Sequence, residues 1–330
     1  MNTTIIKSDI DIAIELLRND EVVAIPTETV YGLAAKATSE TAVKKVFEAK
    51  GRPLTNPLIV HTNSVEKIES FVQYIPEAAK VLLEKFSPGP ITVLLPTNGI
   101  LPSVINNGKK LLAFRIPSHP IALSVLEQLP FPLVAPSANR FTSISPTNAW
   151  HVFKDLEGRI PYILNGGSCD IGLESTVVGF ENNAPVIYRQ GAITTQQIKD
   201  VAGEVKINSN KGSQPSPGMA AHHYSPSTPL YVVDNIKNIA STYEAETTAL
   251  LCFGQYNYKF PVAHQFMLSV ERNLLEATRN FYKAMHYLDE LNLKCIVAEK
   301  LPNIGLGIAL NDRLKRAAHP FPSLAEPVIQ

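Results

Sequence analysis

The chain has 330 residues, of which 45% are hydrophobic and 18% charged. That is enough apolar material for two domains with buried cores, and too much for a disordered chain. Its 30 Lys and Arg balance 30 Asp and Glu, with no segregation of sign along the chain, which argues against a general RNA-coating role and against attraction to an anionic membrane.

In chain order, Ser8 is placed to cap a helix over residues 9–18, with Ile12, Ala13, Leu16 and Leu17 on one face. EVVAIP (21–26) reads as a buried strand stopped by Pro26. Residues 40–49 carry Ala42, Val43, Val46 and Phe47 at helical spacing. Short apolar runs follow as strands: PLIVH (57–61), ITVLL (91–95), LLAFRI (111–116), PLVA (132–135), STVVGF (175–180) and PVIY (185–188). Strands and helices at this density predict an α/β or α+β domain over residues 1–205. Residues 206–229 are rich in Pro, Gly and Ser, the composition of a linker or mobile loop. A smaller α/β unit is expected over residues 230–330. Its strands are PLYVV (229–233), TALLCF (248–253) and KCIVAE (294–299). Its helices span 271–290 and 309–318, the first with Leu274, Thr278, Phe281, Tyr282, Met285 and Leu288 on one side. Cys169, Cys252 and Cys295 are far apart and form no CxxC pair, so neither a disulfide framework nor a zinc site is expected. The N-terminal stretch does not read as a secretory signal, and no apolar run approaches the ~18 residues of a membrane helix. The expectation is a soluble, cytoplasmic protein with no membrane partner.

Chemistry concentrates where apolar runs end in polar groups. VVAIP leads into Thr27, Glu28 and Thr29; LIV into His61; LLAF into Arg115; PLVAP into Ser137, Ala138 and Asn139. If these runs share one sheet, their ends converge on one cleft. In KGRPLTNPLIVH (50–61), Pro53 and Pro57 favour an extended chain. Lys50 and Arg52 then face the same side, a cationic arm suited to a triphosphate; a solvated loop with a basic pair is the plainer reading. Arg115, at the end of an uncharged run, needs a partner, either a structural carboxylate or a substrate carboxylate. A satisfied core histidine is the commoner fate of a residue like His61. The PSANR turn (136–140) offers backbone N–H groups for an anion. Glu28 and Glu174 are conceivable magnesium ligands, with capping or solvation as the default. There is no P-loop, no GxGxxG after the first strand, no GxSxG and no HExxH.

These segments resemble a known family. PTETVYGL (26–33), KGRPLTNPLIVH, SPGPITVLL (87–95), FRIPSHP (114–120), APSANR (135–140), SPT (145–147), GLESTVV (172–178), SPGMAAHHYSP (216–226) and IGLGIALNDRLKRAA (304–318) are similar, in order, to segments of the two-domain threonylcarbamoyl-AMP synthases. The resemblance implies a YrdC-like α/β domain, a twisted open sheet with a large concave cleft, joined to a smaller Rossmann-like α/β domain. It implies synthesis of threonylcarbamoyl-AMP and pyrophosphate from L-threonine, bicarbonate and ATP, with Mg2+ accompanying the ATP. The product would serve threonylcarbamoyladenosine modification of tRNA by a separate transferase complex. Threonine would be held by Thr29, His61, Arg115, Ala135 and Ser175, with Arg115 taking the carboxylate. ATP would be held by Lys50, Arg52, Asn56, Leu111 (through its backbone), Ser137, Ser145, Arg189 and Tyr224, the last acting as part of a lid pivoting at Gly218. No protein nucleophile is implied; Lys50 and Arg52 would position and neutralise phosphates. Two departures are visible: Asn165-Gly166-Gly167 where the family has Asp-Gly-Gly, and Arg189-Gln190-Gly191 where it has Arg-Pro-Gly, which loosens the segment that aims Arg189. Two competing readings are an RNA-binding module and a carbamoyl-adenylate enzyme of metal-cofactor maturation; the latter class carries additional zinc-finger and acylphosphatase-like regions, which have no counterpart here.

Overall fold

A computed structural model of the chain describes residues 4–208, 223–237 and 239–319. Within them, the strands are β1 (Ile5–Lys7), β2 (Val23–Ile25), β3 (Gly32–Lys36), β4 (Ile59–His61), β5 (Ile91–Pro96), β6 (Leu111–Arg115), β7 (Leu133–Val134), β8 (Tyr162–Leu164), β9 (Thr176–Glu181), β10 (Ala184–Arg189), β11 (Lys206–Ile207), β12 (Leu230–Val233), β13 (Thr248–Cys252), β14 (Gln265–Met267) and β15 (Cys295–Glu299). The helices are α1 (Ile10–Arg18), α2 (Glu40–Lys50), α3 (Val65–Glu69), α4 (Glu77–Phe86), α5 (Pro120–Gln128), α6 (Ala149–Leu156), α7 (Thr195–Ala202), α8 (Leu274–Glu290) and α9 (Leu306–Ala317).

Among the described residues, strands β1 to β11 form one mixed sheet in the order β1-β8-β2-β3-β7-β4-β6-β5-β9-β10-β11. The sheet runs two residues past position 205, because Lys206 and Ile207 pair in parallel with Val186 and Ile187. Its two faces are covered by separate apolar clusters. One joins Val43, Val46 and Phe47 of α2 to Val60, Phe114 and Val93. The other joins Leu17 of α1 and Val125 of α5 to Ile25, Leu133 and Leu164. Strands buried on both faces read as continuous apolar runs, which is why β2, β4 and β6 are legible in the sequence.

The remaining strands form a four-stranded parallel sheet, β12-β15-β13-β14. Helix α8 buries Thr278, Phe281, Tyr282, Met285 and Leu288, the face its 3.6-residue period predicts. The apolar core of this smaller unit also takes in Val30, Ile144, Leu173 and Tyr224, so the two units share one continuous hydrophobic contact.

Several local expectations are corrected. Asp9, not Ser8, caps α1, accepting from the N–H groups of Asp11 and Ile12; the Ser8 hydroxyl instead donates to the carbonyl of Asn165. Lys50 is the last residue of α2, and Gly51 ends that helix in the left-handed conformation at φ 63°, where glycine carries no Cβ penalty. The segment after it then turns, the N–H of Asn56 donating to the carbonyl of Pro53. Lys50 and Arg52 therefore do not project from one extended arm.

Candidate active site

Polar residues from distant parts of the chain meet at one buried cavity. Its walls are Thr29 and Val30 after β2, Ile59 and His61 of β4, Arg115 of β6, Ala135, Pro136 and Ser137 after β7, Glu174 and Ser175 before β9, Arg189 of β10, and Arg52, His223 and Tyr224. The cleft is not simply a crevice at the carboxyl ends of parallel strands. His61 and Arg115 are neighbours at the ends of parallel β4 and β6, but β7 runs antiparallel to β4 and returns Ala135 alongside Ile59, whose carbonyl accepts from the Ala135 N–H at 3.1 Å.

All five residues assigned to threonine line this cavity. The Arg115 guanidinium donates from Nη1 to Thr29 Oγ1 at 2.9 Å and from Nε to the carbonyl of Gly89 at 3.3 Å. Its Nη2 lies 2.7 Å from Glu28 Oε1, both side chains being buried. The partner left open in the sequence is thus a protein carboxylate, and a ligand carboxylate would be a second one. Burial, reinforced by the positive charge of Arg115, pushes His61 down to about 3. The ring is therefore neutral at physiological pH, with Nδ1 against the carbonyl of Ile59 at 3.2 Å. Ser175 shares a 2.7 Å hydrogen bond with Thr92.

Of the residues assigned to ATP, Arg52, Ser137, Arg189 and Tyr224 line the cavity. Arg189 is buried and gripped by Ser175, donating from Nε and Nη2 to its carbonyl at 3.2 and 2.9 Å and from Nη2 to its hydroxyl at 3.0 Å. The segment that carries Gln190 is held on both sides. Gly191 packs so tightly that a Cβ there would stand 2.4 Å from the carbonyl oxygen of Glu174, and the carbonyl of Gln190 is held at 2.9 Å by Arg313. The other departure, at residue 165, is also accommodated: Asn165 Oδ1 accepts from the Gly167 N–H at 3.1 Å.

Lys50, Asn56, Ser145 and Leu111 stand behind this lining. The Lys50 ammonium is buried and donates to the carbonyls of Ser137 and Asn139, so it pins the turn that carries Ser137. Burial, with Arg52 next, holds its pKa well below the usual lysine range. Arg52 donates to the carbonyls of Asn56 and Pro57 at 3.2 and 2.9 Å; burial draws it down to about 9, leaving it charged near neutral pH. Ser145 donates to Glu174 at 2.7 Å. Leu111 lies at the far end of β6, about 13 Å along the strand from Arg115, on the same face as the apolar strip of Ile59, Leu94, Ala113 and Val177.

The cavity is small, about 40 Å³, enough for several waters and not for threonine and ATP together. Among the described residues the expected cleft is narrow here, and His223 and Tyr224 form part of its wall. Tyr224 is buried, at a φ of 66°, a conformation costly for a bulky side chain. Its Oη, His223 Nδ1 and Asn56 Oδ1 are buried without a hydrogen-bond partner among the described residues. Such atoms are costly unless a ligand engages them. Pro217 and Gly218, the expected stiff flank and pivot of a lid, lie outside the described residues.

Glu28 and Glu174 are each committed to an arginine, and no group of three or more His, Cys, Asp or Glu suited to a metal ion occurs among the described residues. The sequence reading missed His223, which carries no signal of its own in a linker-like stretch, and Arg313, whose long-range partners no local pattern announces. Cys169, Cys252 and Cys295 are free and buried. No helix among the described residues is long and apolar enough to cross a membrane.

Comparison with known proteins bears on the family of the chain. Residues 15–191 match the family model described as "Telomere recombination", and residues 193–319 match the model of the threonylcarbamoyl-AMP synthase C-terminal domain. The chain is 38% identical to the threonylcarbamoyl-AMP synthase of Pyrococcus abyssi, covering 94% of each protein, and 38% identical to that of Bacillus subtilis, covering 93% of this chain and 92% of that one. It superposes on the crystal structure of P. abyssi Sua5 complexed with L-threonine with a TM-score of 0.87 at 37% identity, over 96% of this chain and 97% of that one. Full-length HypF, in a phosphate- and nucleotide-bound form, matches at a TM-score of 0.50 and 25% identity, over 55% of this chain and 29% of HypF. With both domains matched and near-complete coverage of its relatives, the chain belongs to the two-domain threonylcarbamoyl-AMP synthase family.

Proposed function

We propose that this chain is a nucleotidyltransferase that joins L-threonine, bicarbonate and ATP into threonylcarbamoyl-AMP and pyrophosphate. The observation that carries the reading is the meeting of His61, Arg115 and Ser175 with Arg52, Arg189 and Tyr224 around one cavity. A carboxylate and a polyphosphate have facing, desolvated cationic partners there. The relative from P. abyssi, crystallised with L-threonine, supports the amino-acid half of the reading.

In this reading the threonine carboxylate pairs with Arg115, beside Thr29, Ala135 and Ser175. Its amine faces neutral His61 and adds to CO2 derived from bicarbonate, losing a proton to form a carbamate. A carbamate oxygen attacks the α-phosphorus of ATP, and the bond to the β-phosphate oxygen breaks to release pyrophosphate. Arg52 and Arg189 balance the charge on the phosphates. Lys50, Asn56 and Ser145 fix the walls, Leu111 offers backbone groups at the outer end, and Tyr224 covers the nucleotide. Catalysis is positioning and charge neutralisation among buried cations. Mg2+ enters with ATP as part of the substrate, held mainly by phosphate oxygens and water, the usual habit of this ion. The product passes to a tRNA-modifying transferase in the cytoplasm, with contact to that complex or to tRNA weak.

Pyrophosphate release and product mass, measured with each substrate omitted in turn, test the reading. Release is expected only when ATP, L-threonine and bicarbonate are all present; equal release without threonine overturns it.

A further inference from the structure

The cavity is walled by the larger domain and the 223–224 segment, yet one side chain of the smaller domain sits directly behind it. Arg313 of α9 is fully buried. Its Nε donates to Glu174 Oε2 at 2.9 Å, its Nη2 to the carbonyl of Gln190 at 2.9 Å, and its Nη1 to Asp312 at 2.8 Å. The guanidinium carbon lies 4.9 Å from the centre of the Tyr224 ring. Glu174 is further held by the hydroxyl of Tyr282, from α8, at 2.8 and 3.0 Å to its two oxygens, and by Ser145 at 2.7 Å.

The chain positions of these contacts give them meaning. Glu174 precedes Ser175, and Gln190 follows Arg189. Ser175 and Arg189 are bonded to one another and both line the cavity. One guanidinium thus clamps the outer flanks of that pair and supports the face of the tyrosine that lines the site. A buried ion pair is a poor way to gain stability, since desolvation offsets most of its attraction and apolar replacements are often as stable. Its rigid, forked geometry is well suited to fixing several groups at once.

We propose that Arg313 is a positioning residue for synthesis, and that the smaller domain takes part in the reaction by using it to hold Ser175, Arg189 and Tyr224 in register. The proposal rests on the substrate placement given above. It assigns the C-terminal domain a direct part in the chemistry, through the contacts that α8 and α9 make to Glu174, Gln190 and the Tyr224 ring.

The test uses the full-length chain carrying Arg313→Met, Arg313→Lys, Glu174→Gln and the Arg313→Met/Glu174→Gln pair. Melting temperature, kcat, KM for threonine and ATP, and hydrogen exchange of residues 174–191 without substrates are measured for each. Arg313→Met is expected to lower kcat/KM for threonine roughly 10- to 100-fold per folded molecule, the scale of a small misplacement in a site, and to speed exchange in 174–191. The paired variant should lose little more than Arg313→Met alone, because the two residues act through one contact. Arg313→Lys keeps the charge but not the fork, and should remain impaired; it also serves if Arg313→Met does not fold. Wild-type kinetics per folded molecule in a folded variant, or additive losses in the pair, overturn the proposal. The exchange readout keeps the two ideas apart. If the wild type shows no threonine dependence, the substrate reading fails, while unchanged exchange in 174–191 separately overturns the clamp.

Discussion

Arg115 and Glu28 form a buried ion pair, with Arg115 Nη2 2.7 Å from Glu28 Oε1, at the wall where the threonine carboxylate is expected. Truncating Arg115 alone removes a ligand contact and also leaves a carboxylate buried without its cation, which costs about 3–5 kcal/mol. Arg115→Ala should therefore lose both stability and threonine affinity. Arg115→Ala combined with Glu28→Gln should recover much of the melting temperature but not the threonine affinity, with ATP binding close to wild type. Calorimetry decides: threonine binding restored in the double variant would make Arg115 purely structural.

Lys50 and Arg52 donate to backbone carbonyls that shape the site. Alanine at both positions should lower melting temperature and ATP affinity together, since four buried acceptors lose charged donors, each bond worth roughly 1.5–3 kcal/mol. The cationic arm expected from the sequence would have affected ATP binding chiefly, whereas these contacts tie both residues to the fold as well. Thermal melts paired with ATP titrations check it, and an unchanged melting temperature would contradict the anchoring described here.

The Tyr224 hydroxyl is buried without a partner among the described residues, which costs on the order of 1–3 kcal/mol. Tyr224→Phe is expected to melt no lower than wild type while making less threonylcarbamoyl-AMP; Tyr224→Ala should lose more activity because the ring itself forms part of the cavity wall. If Tyr224→Phe melts lower and turns over normally, the hydroxyl has a structural partner and no part in the reaction.

His151 of α6 and His286 of α8 stack across the domain contact, ring centres 3.8 Å apart, and His286 Nε2 meets the carbonyl of Ser145 at 3.2 Å. Burial holds His151 down at about 3 and His286 at about 4, against an ordinary value of 6.5. Both are neutral in the fold, whereas the unfolded chain takes up protons below pH 6.5. Their contribution to stability is thus complete above that pH and declines as pH falls from 6.5 toward 4 and on to 3. His286→Gln, which keeps a donor for Ser145, should show a shallower fall in melting temperature between pH 7 and about pH 4.5 than wild type. Parallel curves would remove this pair from the acid response.

What the sequence alone determined was local. Apolar runs such as those at 91–95, 111–116 and 248–253 gave strands because β5, β6 and β13 are buried on both faces. The period of residues 274–288 gave α8 its buried side. Polar residues at the ends of apolar runs pointed to Thr29, His61, Arg115 and Ser137, which do meet in one cavity. Short or marginally apolar strands such as β1, β11 and β14, and the antiparallel direction of β7, left no comparable signature. Tertiary structure alone decided which groups face each other. Lys50, at the end of α2, reaches the 137–139 turn, while Arg52, beyond the Gly51 cap, holds the carbonyls of Asn56 and Pro57. Glu174 found its cation 139 residues away at Arg313. Periodicity records which face of an element is buried, because burial acts on each residue where it stands. The pairing of buried charges depends on how distant elements dock, and a spacing of 139 residues carries no trace of it.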